Sequence, residues 1–463
     1  MIVADQSIHP TVKWLLVGTA GYSLGSVIAD PLLSVAATAG ATLCVLVGIL
    51  LPVNLRIPLH ILGGALVILV GVLANFNEMA RFSRLSGSYA IWFLLAVATG
   101  LSVFFAQVES MRRLTVALAF LTTLVGSLTI LIPDWQADAS SDVFRAHAAA
   151  GEALLAGENP YSDTVVFVSG DPNKPDGTLV EGYPYPPPSL FSYGILAAIT
   201  DPRVVSLTSW IVVALGLAVL GARRDQLGSI SLVVLALMAT IPIWRMALFM
   251  SWTEPLSVAL IGASLIGISK HRRWGWVVLG IALASKQYLV FLAPLALFYR
   301  DRDGRRPGWL AIAVSGVVAG VPVLFGPSDY IRSVIGNALS IGFRPDTQSI
   351  NGVIASLGGE VLIPMVALLP IIAALLYATY KMRLSGALLV AAGVPTLAMA
   401  LLITSAFPNY WMLVAALTGM ASIVAVSHDK DRRCETPACS GRDVEIAPSR
   451  KQVPEDPVPG DSR

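Results

Sequence analysis

Long apolar runs, separated by short polar segments, extend along most of the chain. The first five runs occupy residues 13–29, 32–52, 57–75, 88–106 and 113–132. After a polar region, further runs occupy residues 203–221, 228–247, 253–268, 274–284, 287–299, 308–325, 361–380, 384–404 and 409–427. Most approach the roughly 20 residues that a helix needs to cross a bilayer. The pattern therefore predicts an all-α fold, a polytopic transmembrane helical bundle of about 14 spans.

The composition agrees with a membrane protein and excludes the ordinary soluble class. Hydrophobic residues make up 55% of the 463 residues, charged residues only 13%, and the mean hydropathy is +0.73. About a quarter of the residues of a soluble globular chain are charged. The formal net charge of +2 gives no reason to expect a nucleic-acid partner. The lipid bilayer is therefore the first predicted partner.

The polar segments divide the chain into four regions. A five-span region (1–132) precedes a polar external loop (133–202), in which we expect an amphipathic helix and a re-entrant helix. A C-terminal transmembrane bundle (203–427) follows. The polar tail (428–463) holds too little apolar surface to offset the entropy of ordering, so we predict that it is disordered.

Short basic loops predict the orientation. They are GARRDQ (221–226), KHRRW (270–274), RDRDGRR (300–306), YKMR (380–383) and HDKDRR (428–433). Such loops stay in the cytoplasm, so we expect a multi-pass plasma-membrane protein with a cytoplasmic C-terminus. To keep all five basic loops on the cytoplasmic side, the run 274–299 must form a hairpin whose tip, SKQY (285–288), lies below the outer surface. For the same reason the segment 186–200 must not cross the membrane and is expected to lie on the outer face. The segments predicted to face outward are 133–202, 250–255, 326–360 and 405–411.

The stretch SSDVFRAHAAAGEALLAGENPY (140–161) has the features of a short amphipathic helix. Either serine can cap a helix that begins at Asp142, and an aspartate in the first turn is favoured by the helix dipole. Gly157 and Pro160 are suited to end it. The predicted apolar stripe consists of Val143, Ala146, Ala150, Ala153 and Leu154. A helix this short and polar is expected to lie at the membrane interface.

Several motifs follow one another in an order that is more specific than any one of them. They are DVFRAHAAAGEALLAGENPY, YPYPPPSL (183–190), WTEPL (252–256), ASKQYLVFLAPL (284–295) and FPNYW (407–411). This order resembles the integral-membrane glycosyltransferases of the C superfamily (GT-C), in particular the polyprenol-phosphate-mannose-dependent mannosyltransferases and their relatives. The resemblance covers residues 134–427. The chain differs from these enzymes in its N-terminal region, where five predicted spans precede the polar loop instead of one.

The resemblance implies a reaction as well as a fold. The donor would be a polyprenyl-phosphate sugar, with mannose as the favoured sugar, and the acceptor a glycolipid or a polysaccharide on the outer face of the membrane. Transfer would invert the anomeric carbon, with Asp142 as catalytic base and Asp138 and Asp134 as reserves. No cofactor is certain. A divalent cation, Mg or Mn, held by these three aspartates is left open.

Positive groups are expected where the donor phosphate binds. Lys286 is the first candidate, since a lysine near the membrane centre costs about 2.5–3.5 kcal/mol unless a partner or a watery cavity receives it. Arg344, in the second long external loop, and His147 are the next candidates. The alternatives are that Lys286 extends to the membrane surface, that Arg344 is a solvated loop charge and that His147 is structural.

Polar and aromatic groups near the same boundary are candidates for substrate binding. Glu254 begins a helix beside Pro255, and either pairs with Lys286, holds an acceptor hydroxyl or is a plain N-terminal charge. The aromatic residues are expected to stack on a sugar or to anchor the chain at the interface. The candidates are Glu254, Trp252, Gln287, Tyr288 and Tyr410.

Two other classes of function compete with the enzyme. A transporter or flippase for a lipid-linked sugar would place its polar groups at the midplane of paired broken helices, whereas the sequence shows one broken hairpin and polar groups gathered outside. A membrane scaffold would leave the ordered motifs without a role. The enzyme requires Asp142 to lie across a cavity from Lys286 or Arg344.

Overall fold

The computed structural model describes twelve stretches of the chain and shows a mostly helical protein. They are residues 10–28, 30–51, 55–81, 86–134, 141–168, 179–241, 243–299, 305–324, 326–336, 348–358, 398 and 408–434.

Five helices form the N-terminal part. They are α1 (Pro10–Val27), α2 (Pro31–Leu50), α3 (Leu59–Arg81), α4 (Ser86–Phe104) and α5 (Glu109–Asp134). Each coincides with one of the five predicted apolar runs. Local sequence signals fix the start of α2. The Asp30 carboxylate accepts a hydrogen bond from the Leu33 amide at 2.9 Å, and Pro31 occupies the first helical position.

The polar loop contains two helices and a small hairpin. Helix α6 (Asp142–Leu155) is followed by strands β1 (Val166–Val168) and β2 (Leu179–Glu181), which pair antiparallel with Phe167 opposite Val180. Helix α7 (Pro187–Ile199) begins at the second of three consecutive prolines and contains a π-helical middle, Leu190–Gly194. The two short strands depart from the predicted all-α fold, although the described chain remains mostly helical.

The rest of the bundle begins at Arg203. Its α-helices are α8 (Arg203–Gly221), α9 (Gln226–Thr240), α10 (Ile243–Phe249), α11 (Glu254–Ser269), α12 (Arg273–Leu283), α13 (Ala293–Phe298), α14 (Gly308–Gly320), α15 (Pro327–Tyr330), α16 (Ile350–Ser356) and α17 (Pro408–Cys434). Two 3-10 helices, Gln287–Leu292 and Val321–Leu324, precede α13 and follow α14, and a π-helix, Ile331–Gly336, follows α15.

Helix α9 is the centre of the core. Every residue from Ile230 to Thr240 is buried, so the helix has no solvent or lipid face there. Helices α3, α4 and α5 pack against it, and so do α8 and α17. The N-terminal helices are therefore part of the same packed bundle as the later ones.

Two further contacts join the N-terminal helices to the rest. In α5 the Arg112 guanidinium donates to the carbonyl oxygens of Gly221, at 3.2 Å, and Arg223, and to the Ser229 hydroxyl at 3.1 Å. It thereby satisfies carbonyls at the end of α8. Helix α1 packs on both α2 and α17, and the Tyr22 ring stacks on the Trp411 ring with centroids 6.0 Å apart.

The helices support a membrane protein. Four described helices are long and apolar enough to cross a membrane: Pro31–Ile49, Glu109–Leu128, Arg203–Gly221 and Asn409–Val426. The pair α9 and α10, bent by 61°, makes a fifth if it counts as one span. Several other predicted runs form shorter apolar helices, and the runs 361–380 and 384–404 lie outside the described residues. The predicted number of about 14 spans is not confirmed.

Three predicted boundaries need correction. The run 228–247 forms two helices, α9 and α10, instead of one. The sequence has a proline between them, and proline lacks the amide proton that a continuous helix needs. The run 287–299 begins as a 3-10 helix rather than an α-helix. The last helix continues to Cys434 instead of ending at 427, because extending a formed helix costs little and the next proline is Pro437. The rest of the predicted tail lies outside the described residues.

Candidate active site

Helix α6 starts where the sequence predicts, and its start is tied to another part of the bundle. Ser141, in an extended conformation, accepts a hydrogen bond from the Val143 amide at 3.2 Å and donates one to the Met250 carbonyl at 3.1 Å. The half-buried Asp142 carboxylate also accepts from the Val143 amide, at 2.8 Å. The N-terminus of α6 is therefore held against the turn that links α10 and α11.

The end of α6 is also the predicted one. Gly157 has φ +74°, a left-handed conformation that a residue with a Cβ adopts only at a cost. The Gly157 amide donates to Leu154 O at 3.2 Å and the Glu158 amide to Ala153 O at 2.8 Å, which closes the last turn. The predicted stripe is buried at Val143, Ala146, Ala150 and Ala153, while Leu154 is half-buried.

His147 lies on the buried face of α6 and has both ring nitrogens in hydrogen bonds. Nε2 lies 3.2 Å from the Ser251 carbonyl oxygen, which can only accept, so Nε2 carries the proton. Nδ1 then accepts from the Tyr183 hydroxyl at 2.9 Å, and the imidazole stacks on the Tyr193 ring with centroids 4.7 Å apart.

Burial, helped by the nearby positive charge of Lys286, lowers the pKa of His147 to about 3. The imidazole is therefore neutral at physiological pH and supplies no positive charge to a phosphate. Its contacts favour the structural alternative, in which it joins α6 to α7 and to the turn at Ser251. Ser251 has φ +55°, and the remaining structure holds this uncommon conformation so that its carbonyl faces the ring.

Lys286 and Glu254 form a buried ion pair. The Lys286 Nζ lies 3.0 Å from the Glu254 Oε1, and the side chains are 6% and 0% exposed. The ammonium also donates to the Thr253 hydroxyl at 2.8 Å. Lys286 occupies the break between α12 and the following 3-10 helix, and Glu254 is the first residue of α11. The lysine thus does not extend to the membrane surface, and one of the alternatives for Glu254, pairing with Lys286, is present in the structure.

Only one oxygen of the Glu254 carboxylate accepts further hydrogen bonds from the described residues. Its Oε1 accepts from the Tyr288 hydroxyl at 2.8 Å and from the Asn409 side-chain amide at 2.9 Å. Within the described part of the chain, its buried Oε2 has no hydrogen-bond partner. A buried carboxylate oxygen without a donor is costly, so a donor supplied by a ligand would be favourable at this position.

Three tyrosines surround the Lys286 ammonium. The distances from Nζ to the ring centroids are 4.7 Å for Tyr185, 5.8 Å for Tyr288 and 5.9 Å for Tyr410. These are cation–π distances, so the three rings stabilise the buried ammonium.

Tyr185 connects this pair with Asp142. Burial raises the pKa of Tyr185 well above its usual value, and the negative charges of Asp142 and Glu254 raise it further. Both carboxylates are therefore close enough to act on the same phenol. The start of α6 and the Lys286–Glu254 pair thus both lie near Tyr185 and belong to one candidate site.

Hydrogen bonds hold the proline-rich segment against the tip of the hairpin. The Ser189 hydroxyl donates to the Ser285 carbonyl at 2.9 Å, and the hydroxyls of Ser257 and Ser285 are 2.9 Å apart. The Gln287 amide donates to the Pro184 carbonyl at 2.6 Å. Motifs that are distant in sequence, YPYPPPSL, WTEPL, SKQY and the start of α17, therefore meet at this site.

The remaining candidates are placed differently. Trp252 contributes its carbonyl, which accepts from the Tyr193 hydroxyl at 3.0 Å and the Ser206 hydroxyl at 3.1 Å, and its half-buried side chain packs on the core. Asp134 is the last residue of α5, and its side chain is not among those described. Asp138 and Arg344 lie outside the described residues.

Sequence reasoning missed two members of the site. Asn409 and Tyr185 lie within the motifs FPNYW and YPYPPPSL, but neither is predicted as a site residue. An asparagine at a helix start beside a proline has a local explanation as a capping residue, and only the folded structure brings it to Glu254. In the described residues, no three His, Cys, Asp or Glu side chains come together as a metal-binding group.

The family of the chain follows from a comparison with known proteins. A family model described as "Glycosyltransferase family 87" matches residues 183–424, just over half of the chain.

The chain belongs to glycosyltransferase family 87.

Neither the curated proteins nor the solved structures contain a match to the chain. Membership in family 87 supports the prediction of a membrane glycosyltransferase. The matched segment includes Tyr185, the Lys286–Glu254 pair and Asn409, whereas Asp142 and the rest of α6 precede it. The family match specifies neither the sugar nor its donor.

Proposed function

We propose that this family 87 protein transfers a sugar, mannose, from a polyprenyl phosphate to a glycolipid or polysaccharide acceptor on the outer face of the plasma membrane. The observation that supports it is that one half-buried carboxylate, Asp142, and one buried ammonium, Lys286, both act on the same aromatic residue, Tyr185. A sugar transfer from a lipid phosphate needs a base on one side of the sugar and positive charge on the other.

The proposed reaction is a single displacement. The acceptor hydroxyl oxygen attacks the anomeric carbon, and Asp142 takes the proton of that hydroxyl. The bond between the anomeric carbon and the phosphate oxygen breaks, its electron pair stays on the phosphate, and the configuration at the carbon inverts. Attack and departure on opposite faces require Asp142 and Lys286 to act from different sides of the sugar.

Lys286 is proposed to stabilise the departing phosphate. The ammonium has three N–H donors, and the contacts with Glu254 and Thr253 use two of them. The third is proposed to donate to a phosphate oxygen, a charge-assisted bond that strengthens as the leaving group gains charge. Glu254 holds the lysine in place through its own bonds to Tyr288 and Asn409.

The aromatic faces of Tyr185, Tyr288 and Tyr410 are proposed to receive the sugar ring and the first isoprenoid units. The Glu254 Oε2, which has no hydrogen-bond donor in the described structure, is proposed to accept a sugar hydroxyl. A divalent cation, Mg or Mn, bound through the aspartates that include Asp134 and Asp138 remains part of the proposal to be tested by chelation.

The test is sugar transfer in purified membranes from radiolabelled polyprenyl-phosphate mannose. We compare the wild type with Asp142→Asn and with Glu152→Gln, a matched control on the exposed face of the same helix. We expect transfer by the wild type and the control and at least about 100-fold less by Asp142→Asn, as for loss of a general base. Equal transfer by Asp142→Asn contradicts Asp142 as base. Absence of transfer by the wild type contradicts the donor, and a lipid-flipping assay then tests the transporter alternative. EDTA shows whether a divalent cation takes part.

The proposed orientation, about 14 spans with α6 outside and the C-terminus in the cytoplasm, has its own test. Replacing the three natural cysteines by serine and adding Glu152→Cys gives a single thiol on α6. A membrane-impermeant maleimide should label it in intact cells, whereas Arg113→Cys at the start of α5 should react only after lysis. Labelling of Arg113→Cys in intact cells contradicts the orientation.

A further inference from the structure

A basic groove lies at the other ends of α11 and α12, away from the candidate active site. Its volume is about 700 Å³. It is lined by Ile268, His271, Arg272, Arg273, Trp276, Tyr299, Arg305, Arg306, Pro307 and Leu310. Glu254 begins α11 and the groove begins just after its end, so the length of this 16-residue helix, about 24 Å, separates the two.

The groove has fixed walls. A Cβ on Gly275 would lie 2.5 Å from the Ile268 amide nitrogen, and one on Gly267 would lie 2.6 Å from Gly275 Cα. The ends of α11 and α12 therefore pack backbone against backbone. The turn between them is completed by His271, with φ +53°, whose amide donates to Ile268 O at 2.9 Å. This close turn places the following arginines at the rim.

The rim of the groove is positively charged. Arg272 precedes α12 and Arg273 is its first residue, while Arg305 and Arg306 come from the segment before α14. All four side chains are exposed. The two loops, 270–273 and 300–306, stay net positive when Asp301 and Asp303 are counted. Arginine binds phosphate with paired donors, so two arginine pairs facing one groove favour a phosphate group.

The floor of the groove is apolar. The Trp276 and Tyr299 rings pack with centroids 4.9 Å apart and are both buried. Beside them, Trp274 is 46% exposed and Trp309 54% exposed. Exposed tryptophans at helix ends are typical of the membrane interface. A ligand that combines a phosphate with apolar chains matches this floor and rim better than a soluble anion does.

We propose that this groove binds the phosphate headgroup of an anionic membrane lipid, at the membrane surface opposite the candidate active site. Basic pockets between helix ends bind such headgroups in other membrane proteins. The inference rests on the groove and on the membrane location, and it is independent of the sugar-transfer reaction.

The experiment measures lipid binding to the purified full-length protein by native mass spectrometry. The probes are dioleoyl phosphatidylglycerol, dioleoyl phosphatidylcholine with the same chains, and inorganic phosphate. The groove variant combines Arg272→Gln with Arg306→Gln. The matched control combines Arg113→Gln with Arg224→Gln, two arginines whose side chains are 79% and 80% exposed and lie outside the groove.

We expect phosphatidylglycerol to bind the wild type and the control variant alike, and the groove variant about 30-fold more weakly, from the loss of two arginines at a membrane surface. A second groove variant, Arg272→Lys with Arg306→Lys, should retain most of the binding because it keeps the charge. An equal loss in the control variant overturns the proposal, since it shows general attraction to the surface. Equal binding of phosphatidylcholine overturns the anionic headgroup, and displacement of the lipid by an equal concentration of inorganic phosphate overturns the lipid as ligand.

Discussion

The buried Lys286–Glu254 pair predicts that two single substitutions will destabilise the protein and that their combination will not. Lys286→Met removes the cation and leaves a carboxylate that is 0% exposed, with only the Tyr288 hydroxyl and the Asn409 amide as donors. Removing one partner of such a pair costs about 3–5 kcal/mol, because the other charge stays buried. Glu254→Gln removes the negative charge and leaves the buried ammonium with neutral acceptors only, the glutamine oxygen and the Thr253 hydroxyl.

The double variant, Lys286→Met with Glu254→Gln, contains no buried charge at this site. The glutamine oxygen can still accept from Tyr288 and Asn409, so few bonds are lost. We expect its free energy of unfolding to lie within about 2 kcal/mol of the wild type, because exchanging a buried pair for neutral groups is often close to neutral.

Thermal unfolding in detergent, followed by tryptophan fluorescence, measures the three variants beside the wild type. Sugar transfer is measured on the same samples, and the double variant should stay inactive although its stability returns, because the ammonium is absent. Arg113→Met, which breaks the exposed pair with Glu109, is the control and should unfold at the wild-type temperature. A double variant as unstable as the sum of the two single ones would refute the coupling, since independent groups give additive effects.

Three further predictions concern other parts of the structure. Burial holds the pKa of His147 at about 3, below its ordinary 6.5, so the folded state is stabilised above pH 6.5 and loses stability as the pH falls toward 3. At pH 5 the free energy of unfolding should be about 2 kcal/mol lower than at neutral pH. The difference in stability between pH 7.5 and pH 5.0 should be smaller in His147→Gln than in the wild type. Gly157→Ala should destabilise the protein by about 1 kcal/mol, because φ is +74° at this residue. Gly216→Ala, in the interior of α8 with open space around it, should instead stabilise the protein by about 0.5–1 kcal/mol. The unfolding midpoint measures both changes. Arg112→Ala should cost about 2 kcal/mol by leaving acceptors at the end of α8 without their donor, and an unchanged midpoint would show that this contact contributes nothing.

The sequence was most informative where the structure depends on local rules. Apolar runs of a span's length predicted α1 to α5 and α8, since both burial and the membrane select the same continuous hydrophobic segments. The bounds of α6 were predictable because Ser141 caps its start and Gly157 ends it, and both effects act within one helical turn.

The members of the site could be predicted one at a time but not as a set. Glu254, Lys286 and Tyr288 were candidates from their positions near predicted boundaries, but Asn409 joins them from a distant part of the chain. A local pattern holds no information on such contacts. For His147 the sequence suggested a charged role, and only its depth in the fold, which lowers the pKa, decides against positive charge.

The contact between α1 and α17 has a consequence for how the protein is made. A membrane chain is synthesised and inserted from its N-terminus, so α1 reaches the bilayer long before the helix that covers it through Tyr22 and Trp411. The same late helix carries Asn409, the donor to Glu254, and Tyr410, one face around Lys286. A nascent chain that stops before residue 408 therefore lacks two groups of the site. The candidate site is therefore assembled only after α17 has been inserted and has packed on α1.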